Sequence, residues 1–542
     1  MNGADLIAEI LKREGITFLS CYPRNPLIDA CARVDIRPVI CRQERVGVGI
    51  ADGYSRTARD GAIGIFAAQV GPGIENAFAG VAQAYADNSP ILVLPSAANL
   101  DRPNTPPVFY PADAMAPITK WTARVHHVRD LPHLLRRAFQ QLRGGRPGPV
   151  LLELPEEILC APFEGTIDYR PVQSYRFTPD PAAIETAAQL LINARCPLIW
   201  AGQGVLRARA TAHLLALAEL LRAPVMTTNP GKSAFPEHHD LSLGAAAVHA
   251  PPPLKAALAG SDVVLAVGTS LTTSPFNPAM PPGKIVIHNT VNEMDINKDV
   301  RAEVVLLGDA GLMLKSLNEA ILQLTGRRGR ADLTHIPGSV KRTKQHWLES
   351  WNHQFESTEI PINPYRLIRD LMATVDRDNT IITHDAGSPR EHLLPFWEAT
   401  CPGGYLGWGK STQLGHSLGL ILGAKLAYPE KLCINWMGDA AFCMVGMDLD
   451  TAARNHIPIL TIVLNNGVMA CERDHLIESR RKYDAFELGG NYAEIAKALG
   501  VWSRRIQQPD DFIPALKDAI SVTEDGKPAL LECITKECYD FA

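Results

Sequence analysis

Short apolar runs alternate with amphipathic, helix-like stretches along the whole chain. Near the N-terminus, an amphipathic stretch at residues 4–13 is followed by strand-like runs that end near Pro23 and that cover residues 37–41 and 62–68. The run at 37–41 leads into a helical stretch that continues through Arg56. This alternation is typical of parallel sheets whose faces are covered by helices.

Two stretches rich in proline or polar residues interrupt the alternation, at residues 169–181 and 326–338. We interpret both as linkers. They divide the chain into three α/β units, an N-terminal unit at residues 1–170, a middle unit at 182–326 and a C-terminal unit at 355–542. The sequence therefore predicts an α/β protein with three doubly wound parallel-sheet domains.

Composition narrows the functional classes without identifying one. Hydrophobic residues make up 46% of the 542 residues and charged residues 20%, which is the profile of a soluble globular protein with large cores. The net charge of −5 argues against a nucleic-acid partner, because no basic excess is present to neutralise phosphates. No apolar run reaches the roughly 18 residues of a membrane span, and the N-terminus lacks the layout of a signal peptide. The eleven cysteines are scattered without metal-type spacing, which favours reduced thiols and a cytoplasmic location.

The C-terminal unit contains the clearest β-α-β element. Its pattern predicts a strand at residues 432–437, a tight turn at 438–441, a helix at 444–455 and a second strand at 459–464. In a right-handed crossover the two strands are parallel, so the residues that follow them meet at the carboxyl edge of the sheet. Open α/β sheets bind ligands along that edge.

Two oxygen-bearing side chains, Asp439 and Asn466, follow these strands. A carboxylate and an amide oxygen suit a hard divalent cation such as Mg²⁺, which often bridges phosphates. The small residues Gly438, Ala440 and Ala441 let backbone N–H groups approach a diphosphate at the helix start. The alternative is an ordinary strand–turn–helix in which Asp439 only caps the helix.

The spacing of these residues resembles the signature of thiamine-diphosphate-dependent enzymes, which is Gly-Asp-Gly followed by Asn-Asn. Here 24 residues separate Gly438-Asp439-Ala440 from Asn465-Asn466, with Ala440 in place of the usual glycine. The resemblance implies that Asp439, Asn466 and the carbonyl of Val468 bind Mg²⁺ and that the cofactor is thiamine diphosphate. It also implies further cofactor contacts from Pro23, Asn76, Gly387, Ser388, Ala441 and Met469.

The segment at residues 42–56 resembles the glutamate segment of acetolactate-synthase-like members of that family. The resemblance implies that Glu44 hydrogen-bonds a ring nitrogen of the cofactor's aminopyrimidine and favours the tautomer that deprotonates the reactive carbon. A glutamate buried at a helix start in an apolar pocket keeps its proton more readily than one in water. The alternative is a surface glutamate paired with Arg42 or Arg45.

Two more segments resemble the family. Residues 71–77 are similar to its Gly-Pro-Gly-x-x-Asn-Ala turn, which implies that the nearby Gln69 faces the substrate. The alternative for Gln69 is a turn without chemistry. A glycine-rich loop aligns so that Leu414 supports the bend of the cofactor, with Gln413 and His416 as its neighbours. The alternative for Leu414 is a plain core position.

The middle unit carries Gly202-Gln203-Gly204 after a strand-like run, which alone is weak evidence for a dinucleotide site. In relatives this unit holds FAD, the nucleotide part of coenzyme A, or nothing. Residues 267–271 lack the Arg-Phe-Asp-Asp-Arg run of the FAD-binding members. A scaffold role is therefore favoured, and FAD or another nucleotide stays open.

The resemblance covers nearly the whole chain in the family's order. It implies an enzyme that joins or cleaves carbon–carbon bonds in 2-keto acids or 2-hydroxy ketones, with the thiazolium ring as electron acceptor. It also implies a homodimer or homotetramer, because in this family each cofactor lies between units of two subunits. The partners expected are thus a small carbonyl substrate and further copies of the chain.

The sequence leaves the substrate open. Residues 106–113 and 388–390 depart from true acetolactate synthases, whereas residues 117–121 resemble benzaldehyde lyase. Residues 438–447 resemble oxalyl-CoA decarboxylase and 2-hydroxyacyl-CoA lyase. A decarboxylase or lyase is therefore an alternative to a carboligase, and a non-catalytic protein that kept the fold is another.

Overall fold

Three six-stranded parallel sheets form the frame of the molecule. The structure is a computed structural model that describes residues 1–58, 61–101, 105–246, 248–326 and 329–542. Helices cover the sheets, so the predicted α/β class with three parallel-sheet units is confirmed. Within the described residues, no helix is both long and apolar enough to cross a membrane.

The N-terminal sheet has the strand order β2-β1-β3-β4-β6-β5. Its strands are β1 Phe18–Cys21, β2 Arg37–Ile40, β3 Gly64–Ala68, β4 Ile91–Ala97, β5 Trp121–Arg124 and β6 Val150–Pro155. Its helices are α1 Gly3–Arg13, α2 Pro26–Arg33, α3 Glu44–Thr57, α4 Pro72–Ala86, α5 Pro111–Ala114, α6 Leu131–Arg143 and α7 Glu156–Cys160.

The middle sheet has the order β12-β11-β10-β7-β8-β9. Its strands are β7 Pro197–Ala201, β8 Val225–Thr228, β9 Ser242–Ala246, β10 Val263–Val267, β11 Ile285–Thr290 and β12 Val304–Leu307. Its helices are α8 Pro181–Asn193, α9 Gln203–Arg207, α10 Thr211–Leu221, α11 Pro252–Gly260 and α12 Ala310–Thr325. Two helices, α13 Ile336–Ser350 and α14 Asn352–Phe355, lead to the last sheet.

The C-terminal sheet has the order β14-β13-β15-β16-β18-β17. Its strands are β13 Thr380–His384, β14 Tyr405–Leu406, β15 Leu432–Gly438, β16 Leu460–Asn465, β17 Trp502–Ile506 and β18 Ala529–Ile534. Its helices are α15 Pro364–Thr374, α16 Ser388–Phe396, α17 His416–Ala427, α18 Asp439–Val445, α19 Leu449–Arg454, α20 Ile477–Tyr483, α21 Tyr492–Ala498 and α22 Phe512–Glu524.

The central strands are apolar throughout because both faces of each sheet are buried. In β3, Ile65 and Ala67 belong to one buried cluster, whereas Phe66 and Ala68 belong to another on the opposite face. This arrangement explains why the strands read as short continuous apolar runs rather than as alternating patterns.

Helices α3 and α17 join the N-terminal and C-terminal units through glycines. A Cβ atom placed on Gly53 would lie 2.0 Å from the carbonyl oxygen of Leu420, and one on Gly423 would lie 2.2 Å from that of Ile50. Only glycine permits such a close approach of two helix backbones. The two outer units of one chain are therefore packed directly against each other.

Two details predicted for the C-terminal β-α-β element are wrong. The predicted tight turn at 438–441 is a helix start, since α18 begins at Asp439 directly after β15. An acidic residue in the first turn and two alanines both favour a helix there. The predicted helix at 444–455 is divided, because α18 ends at Val445 and a 3₁₀ turn at Gly446–Asp448 separates it from α19.

The second predicted linker is partly helical. Helix α13 begins at Ile336, inside the stretch 326–338, with a proline in its first turn. Its Trp347 stacks on Phe396 of the C-terminal unit, with ring centroids 5.2 Å apart. The three sheets lie within the predicted units 1–170, 182–326 and 355–542, whose boundaries stay a prediction.

Candidate functional site

Three loops meet at the carboxyl edge of the C-terminal sheet. They follow β13, β15 and β16, which are neighbours in that sheet. Gly438 at the end of β15 is in register with Leu464 of β16, so Asp439 and Asn466 emerge side by side from parallel strands. The structure thus brings the two predicted metal-binding residues to one edge.

Asp439 is the first residue of α18, and only 3% of its surface is exposed. Its Oδ1 accepts the N–H of Ala440 at 2.8 Å, and its Oδ2 accepts the N–H of Gly467 at 2.8 Å. Burial raises the pKa of this carboxyl, although the N–H donors oppose the rise. Gly438 holds the capping position, so Asp439 is not the cap of α18; it bonds the loop after the next strand instead.

The loop after β16 presents Asn466 and Val468 in a fixed turn. The Oδ1 of Asn466 accepts the N–H of Val468 at 3.1 Å, and Gly467 has a φ of +72° that favours glycine. On either side of Val468, Leu488 donates to the carbonyl of Gly467 at 2.7 Å and Met469 donates to that of Phe486 at 2.9 Å. Residues 467–469 are thereby held against the segment that follows α20.

The donor set fits Mg²⁺. It comprises one carboxylate, one amide oxygen and one backbone carbonyl, all hard oxygen ligands with lone pairs beyond those already engaged. Among the described residues, no three His, Cys, Asp or Glu side chains gather in a group that could hold a metal. A site at this edge would therefore rely on a single carboxylate and on phosphate oxygens, as Mg²⁺ sites often do.

The loop after β13 closes this edge. Gly387 has a φ of +84° and immediately precedes α16, which begins at Ser388. A Cβ atom on Gly387 would lie 3.3 Å from the Sγ of Cys471, and one on Gly438 would lie 3.3 Å from the Cγ of Pro389. Cβ atoms at both glycines would thus lie within 4.0 Å of Pro389, so Gly387 and Gly438 border one narrow space. We call Gly387, Ser388, Asp439, Asn466 and Val468 the aspartate half-site.

Leu414 and Gln413 lie in the loop between β14 and α17. Leu414 is half-buried and packs against Ala386, Trp408 and Leu420. The N–H of Gln413 donates to the Oε1 of Gln83 at 3.1 Å. The side-chain Nε2 of Gln413 is buried and has no hydrogen-bond partner among the described residues, so it is available to a ligand.

Glu44 lies at the carboxyl edge of the N-terminal sheet, as the first residue of α3 after β2. It is 4% exposed, burial raises its pKa, and the Nδ2 of Asn76 donates to its Oε2 at 3.3 Å. The alternative pairing with arginine does not occur, because Arg42 bonds Asp450 and Arg45 donates to the carbonyl of Leu414. Glu44 is thus a buried carboxyl with a raised pKa and no cationic partner among the described residues.

The other residues predicted at this edge are more exposed to solvent than Glu44. Gln69 follows β3 and is half-buried, and a Cβ atom on Gly73 would lie 2.6 Å from its Cγ. Pro23 follows β1 and is exposed, and Asn76 on α4 is exposed as well. We call Pro23, Glu44, Gln69 and Asn76 the glutamate half-site. In a single chain this half-site is only partly covered.

Sequence reasoning assigned no role to a buried polar group that lies between these regions. Asp52 and Gln83 are 0% exposed and Asp87 is 1% exposed, although all three lie on otherwise apolar faces of α3 and α4 or at the end of α4. Buried carboxylates need partners. Asp52 and Asp87 bond Arg56, which is near in sequence. Asp87 and Gln83 accept N–H groups of the loop between β14 and α17, 322 to 330 residues away in sequence.

The middle unit borders a cavity of about 1100 Å³. Residues of all three units line it, including Arg56, Arg207, Gly268, Ser270 and Lys410. Arg207 is half-buried, its buried Nε and Nη2 have no hydrogen-bond partner among the described residues, and burial lowers its pKa to about 10. The middle unit, for which a scaffold role is favoured, therefore borders a cavity with room for an anionic group beside the guanidinium of Arg207.

Comparison with known proteins identifies three successive matches to family models. Residues 1–106 match the N-terminal binding domain of thiamine pyrophosphate enzymes, residues 184–317 the central domain, and residues 385–533 the C-terminal binding domain.

Several curated proteins are similar to the chain over nearly its full length. A probable acetolactate synthase large subunit of Methanococcus aeolicus is 30% identical, over 98% of this chain and 92% of its own length. The large subunit of acetolactate synthase isozyme 3 of Escherichia coli is 26% identical, over 97% and 93%. The mitochondrial catalytic subunit of acetolactate synthase of Aspergillus candidus is 28% identical, over 98% and 80%.

Proposed function

Because this chain belongs to the thiamine-diphosphate-dependent enzymes of the acetolactate-synthase-like family, we propose that it joins or cleaves carbon–carbon bonds next to a carbonyl group. The proposed substrates are 2-keto acids or 2-hydroxy ketones. The observation that supports this proposal most strongly is the pair of half-sites, each built at the carboxyl edge of its own sheet. When bound, thiamine diphosphate supplies the carbon nucleophile and the electron acceptor that such reactions need.

The aspartate half-site is proposed to hold Mg²⁺ and the diphosphate. Asp439, Asn466 and the carbonyl of Val468 would bind the metal, and the small residues Gly438, Ala440 and Ala441 would leave room for phosphate oxygens. Backbone N–H groups at Gly387 and Ser388, where α16 begins, would add hydrogen bonds to the anion. Met469 and Leu414 would support the rest of the cofactor, with Gln413 beside them.

The glutamate half-site is proposed to activate the cofactor. A buried carboxyl with a raised pKa can share a proton with a ring nitrogen of the aminopyrimidine. Asn76 orients Glu44 through its hydrogen bond, and Gln69 lies at the rim, where a substrate would approach. Pro23 would border the pyrimidine.

We propose that the two half-sites of one complete site come from two copies of the chain, as a homodimer or homotetramer. Support comes from the exposure of Asn76 and Pro23, since a neighbour that covers them would enclose Glu44. Apolar side chains on the same helix as Asn76 are also exposed, Phe78 by 41% and Tyr85 by 43%. Such a face favours association with a second protein surface.

The substrate is tested by a direct comparison. The purified protein with thiamine diphosphate and Mg²⁺ is assayed with pyruvate, benzoylformate and a 2-hydroxyacyl-CoA. Turnover of pyruvate to a ligated product supports the acetolactate-synthase-like activity. Turnover of the thioester alone supports the lyase or decarboxylase alternative. Turnover of none of the three contradicts the proposed chemistry, provided that calorimetry shows cofactor uptake.

A scaffold role without flavin is proposed for the middle unit, because the arginine-containing run of the FAD-binding members is missing. The alternative of an anionic nucleotide is supported by the cavity and by the Nε and Nη2 of Arg207, which have no partner in the part of the chain that the structure describes. The absorbance spectrum of the purified protein and mass spectrometry of its acid extract distinguish an empty scaffold from a unit that holds a nucleotide.

A cytoplasmic location is proposed because all eleven cysteines are free.

A further inference from the structure

The loop between β14 and α17 carries Leu414 and Gln413, and the N-terminal unit of the same chain holds its backbone. Five backbone groups of this loop bond side chains of α3, of α4 or of Asp87, the residue that follows α4. The contacts are Arg56 Nη1 to the carbonyl of Gly407 at 3.3 Å, Gly409 N–H to Asp87 Oδ2 at 3.1 Å, Lys410 N–H to Asp87 Oδ1 at 3.1 Å, Gln413 N–H to Gln83 Oε1 at 3.1 Å, and Arg45 Nη2 to the carbonyl of Leu414 at 3.0 Å.

These side chains also bond one another. Arg56 donates to both oxygens of Asp52, at 2.7 and 2.8 Å, and to Asp87 at 3.2 Å. Gln83 donates to Asp87 at 2.8 Å, and Asp52 accepts a contact of 2.9 Å from His416 at the start of α17. Burial disfavours the charge of Asp52, yet Arg56 and His416 hold its pKa well below the usual range. Asp52 and Arg56 therefore form a buried ion pair whose polar groups are hydrogen-bonded.

The ion pairs of Arg56 with Asp52 and Asp87 lie within the N-terminal unit, where they could serve cohesion alone, and buried ion pairs are weak evidence for stability. Here the polar side chains are directed to backbone groups of one loop rather than to each other only. Gly407 and Gly409 have no side chains that could fix the conformation of this loop. Donors and acceptors from outside the loop, such as Asp87, bond its backbone instead. Consecutive N–H groups of Gly409 and Lys410 are both taken by the single carboxylate of Asp87.

We propose that Asp87, Gln83 and Arg56 are positioning residues. They fix the backbone of the loop and thereby the position and orientation of Leu414 and Gln413 relative to the cofactor. This inference rests on the proposed function. It adds that the N-terminal unit contributes twice, through Glu44 to the site shared with a partner and through this polar group to the site of its own C-terminal unit. Helix α3 bears both contributions, since Glu44 begins it and Asp52 and Arg56 lie farther along it.

The test compares Asp87→Asn with a matched control, Asp262→Asn. Asp262 likewise accepts backbone N–H groups, from Arg195 at 2.7 Å and Cys196 at 2.9 Å, but it lies in the middle unit away from both half-sites. We expect Asp87→Asn to expose the amides of Gly409 and Lys410 to hydrogen exchange and to lower kcat about 10- to 100-fold. The Kd of thiamine diphosphate should change by less than about threefold, because the aspartate half-site is untouched. The control should change none of these quantities.

A milder variant keeps the inference testable if Asp87→Asn does not fold. Gln83→Met removes the acceptor of the Gln413 N–H and one donor to Asp87, but it leaves the carboxylate of Asp87 bonded to Gly409 and Lys410. Faster exchange should therefore be largest at residues 413–414, with a smaller fall in kcat than in Asp87→Asn. Unchanged exchange and unchanged kcat in a folded variant would overturn the positioning role while leaving the proposed function intact. A wild-type protein that takes up no thiamine diphosphate would instead overturn the proposed function together with this inference.

Discussion

At the scale of single residues, the candidate site depends on two buried carboxyl groups, one in each half-site. Glu44 and Asp439 each begin a helix that follows a parallel strand, and burial raises the pKa of both. Carboxyl groups that lack a cationic partner in an apolar cleft are typical of functional sites rather than of structural ion pairs. Their different surroundings favour different tasks, a proton shared by Glu44 and a metal bound by Asp439.

Replacing Glu44 by glutamine should abolish most turnover while preserving cofactor uptake. The amide cannot give and take a proton at the ring nitrogen, and loss of such a group costs about 10²- to 10⁴-fold in rate. Steady-state kinetics and calorimetric titration with thiamine diphosphate measure the two effects. Glu185→Gln, on an exposed position of α8, is the control and should behave as wild type. Undiminished turnover in Glu44→Gln would favour a protein in which this site is not catalytic.

Asp448 should make the stability of the protein depend on pH. It is buried, its Oδ1 accepts the N–H of Arg42 at 2.7 Å, and burial raises its pKa to about 6. The unfolded chain releases this proton near pH 4, so the stability that the neutral carboxyl contributes is present below about pH 4 and lost as pH rises through about 6.

The Asp448→Asn variant does not titrate at this position. The free energy of unfolding of wild type relative to this variant should therefore fall by up to about 3 kcal/mol between pH 4 and pH 6, then stay level. Thermal unfolding followed at several pH values measures the difference. Asp484→Asn, at an exposed position, should show no such trend against wild type. A pH-independent difference for Asp448→Asn would refute the assignment.

At the scale of elements, the contact of α3 with α17 fixes the two outer units of one chain. Their backbones approach so closely that a Cβ atom at Gly419 would lie 2.7 Å from the Cα of Gly49. Helix α3 bears Glu44, Asp52 and Arg56, and helix α17 begins at His416. Packing and site geometry therefore depend on one helix pair.

Gly423→Ala should destabilise the protein by about 1–3 kcal/mol, because the new methyl group meets backbone atoms that have no room to move. The carbonyl of Ile50 would lie 2.2 Å from the added carbon. Gly260→Ala is the matched control, since a Cβ atom at the end of α11 meets nothing within 4 Å. The midpoint of thermal unfolding should fall for the first variant only. Equal midpoints for both variants would show that α3 and α17 are not in backbone contact.

Much of the fold and part of the candidate site could be predicted from the sequence, for physical reasons that differ between elements. The strands could be found because parallel strands buried on both faces are continuous apolar runs. Asp439 and Asn466 could be paired because a β-α-β crossover places them together from local sequence alone. The hydrogen bonds of Asp87 with Gly409 and Lys410 could not be predicted, because the partners are 322 and 323 residues apart in sequence. No local pattern marks a hydrogen bond between a helix end and a distant backbone.

At the scale of the whole molecule, a complete site requires two copies of the chain under the proposed function. One copy presents a glutamate half-site with exposed Asn76 and Pro23, and its aspartate half-site lies on another sheet. The exposed Phe78 and Tyr85 share α4 with Asn76 and are seven residues apart, so they lie on one face of the helix. We expect a second copy to cover that face.

Phe78→Asp should weaken the assembly, because burial of a charge at an apolar contact is unfavourable. Light scattering coupled to gel filtration should show a shift toward monomer, and turnover should fall with it. Leu324→Asp replaces another exposed apolar residue, 49% exposed on α12 of the middle unit, and should leave both quantities unchanged. A fully active monomer would contradict a site shared between copies.

The most direct test mixes two inactive variants. Glu44→Gln and Asp439→Ala are co-expressed with different tags, and the mixed oligomers are assayed with thiamine diphosphate and Mg²⁺. If each site takes its glutamate from one copy and its aspartate from the other, a mixed dimer has one intact site. Random pairing should then restore about a quarter of wild-type turnover, whereas each variant alone stays inactive. Mixed oligomers that form but stay inactive would contradict the shared site.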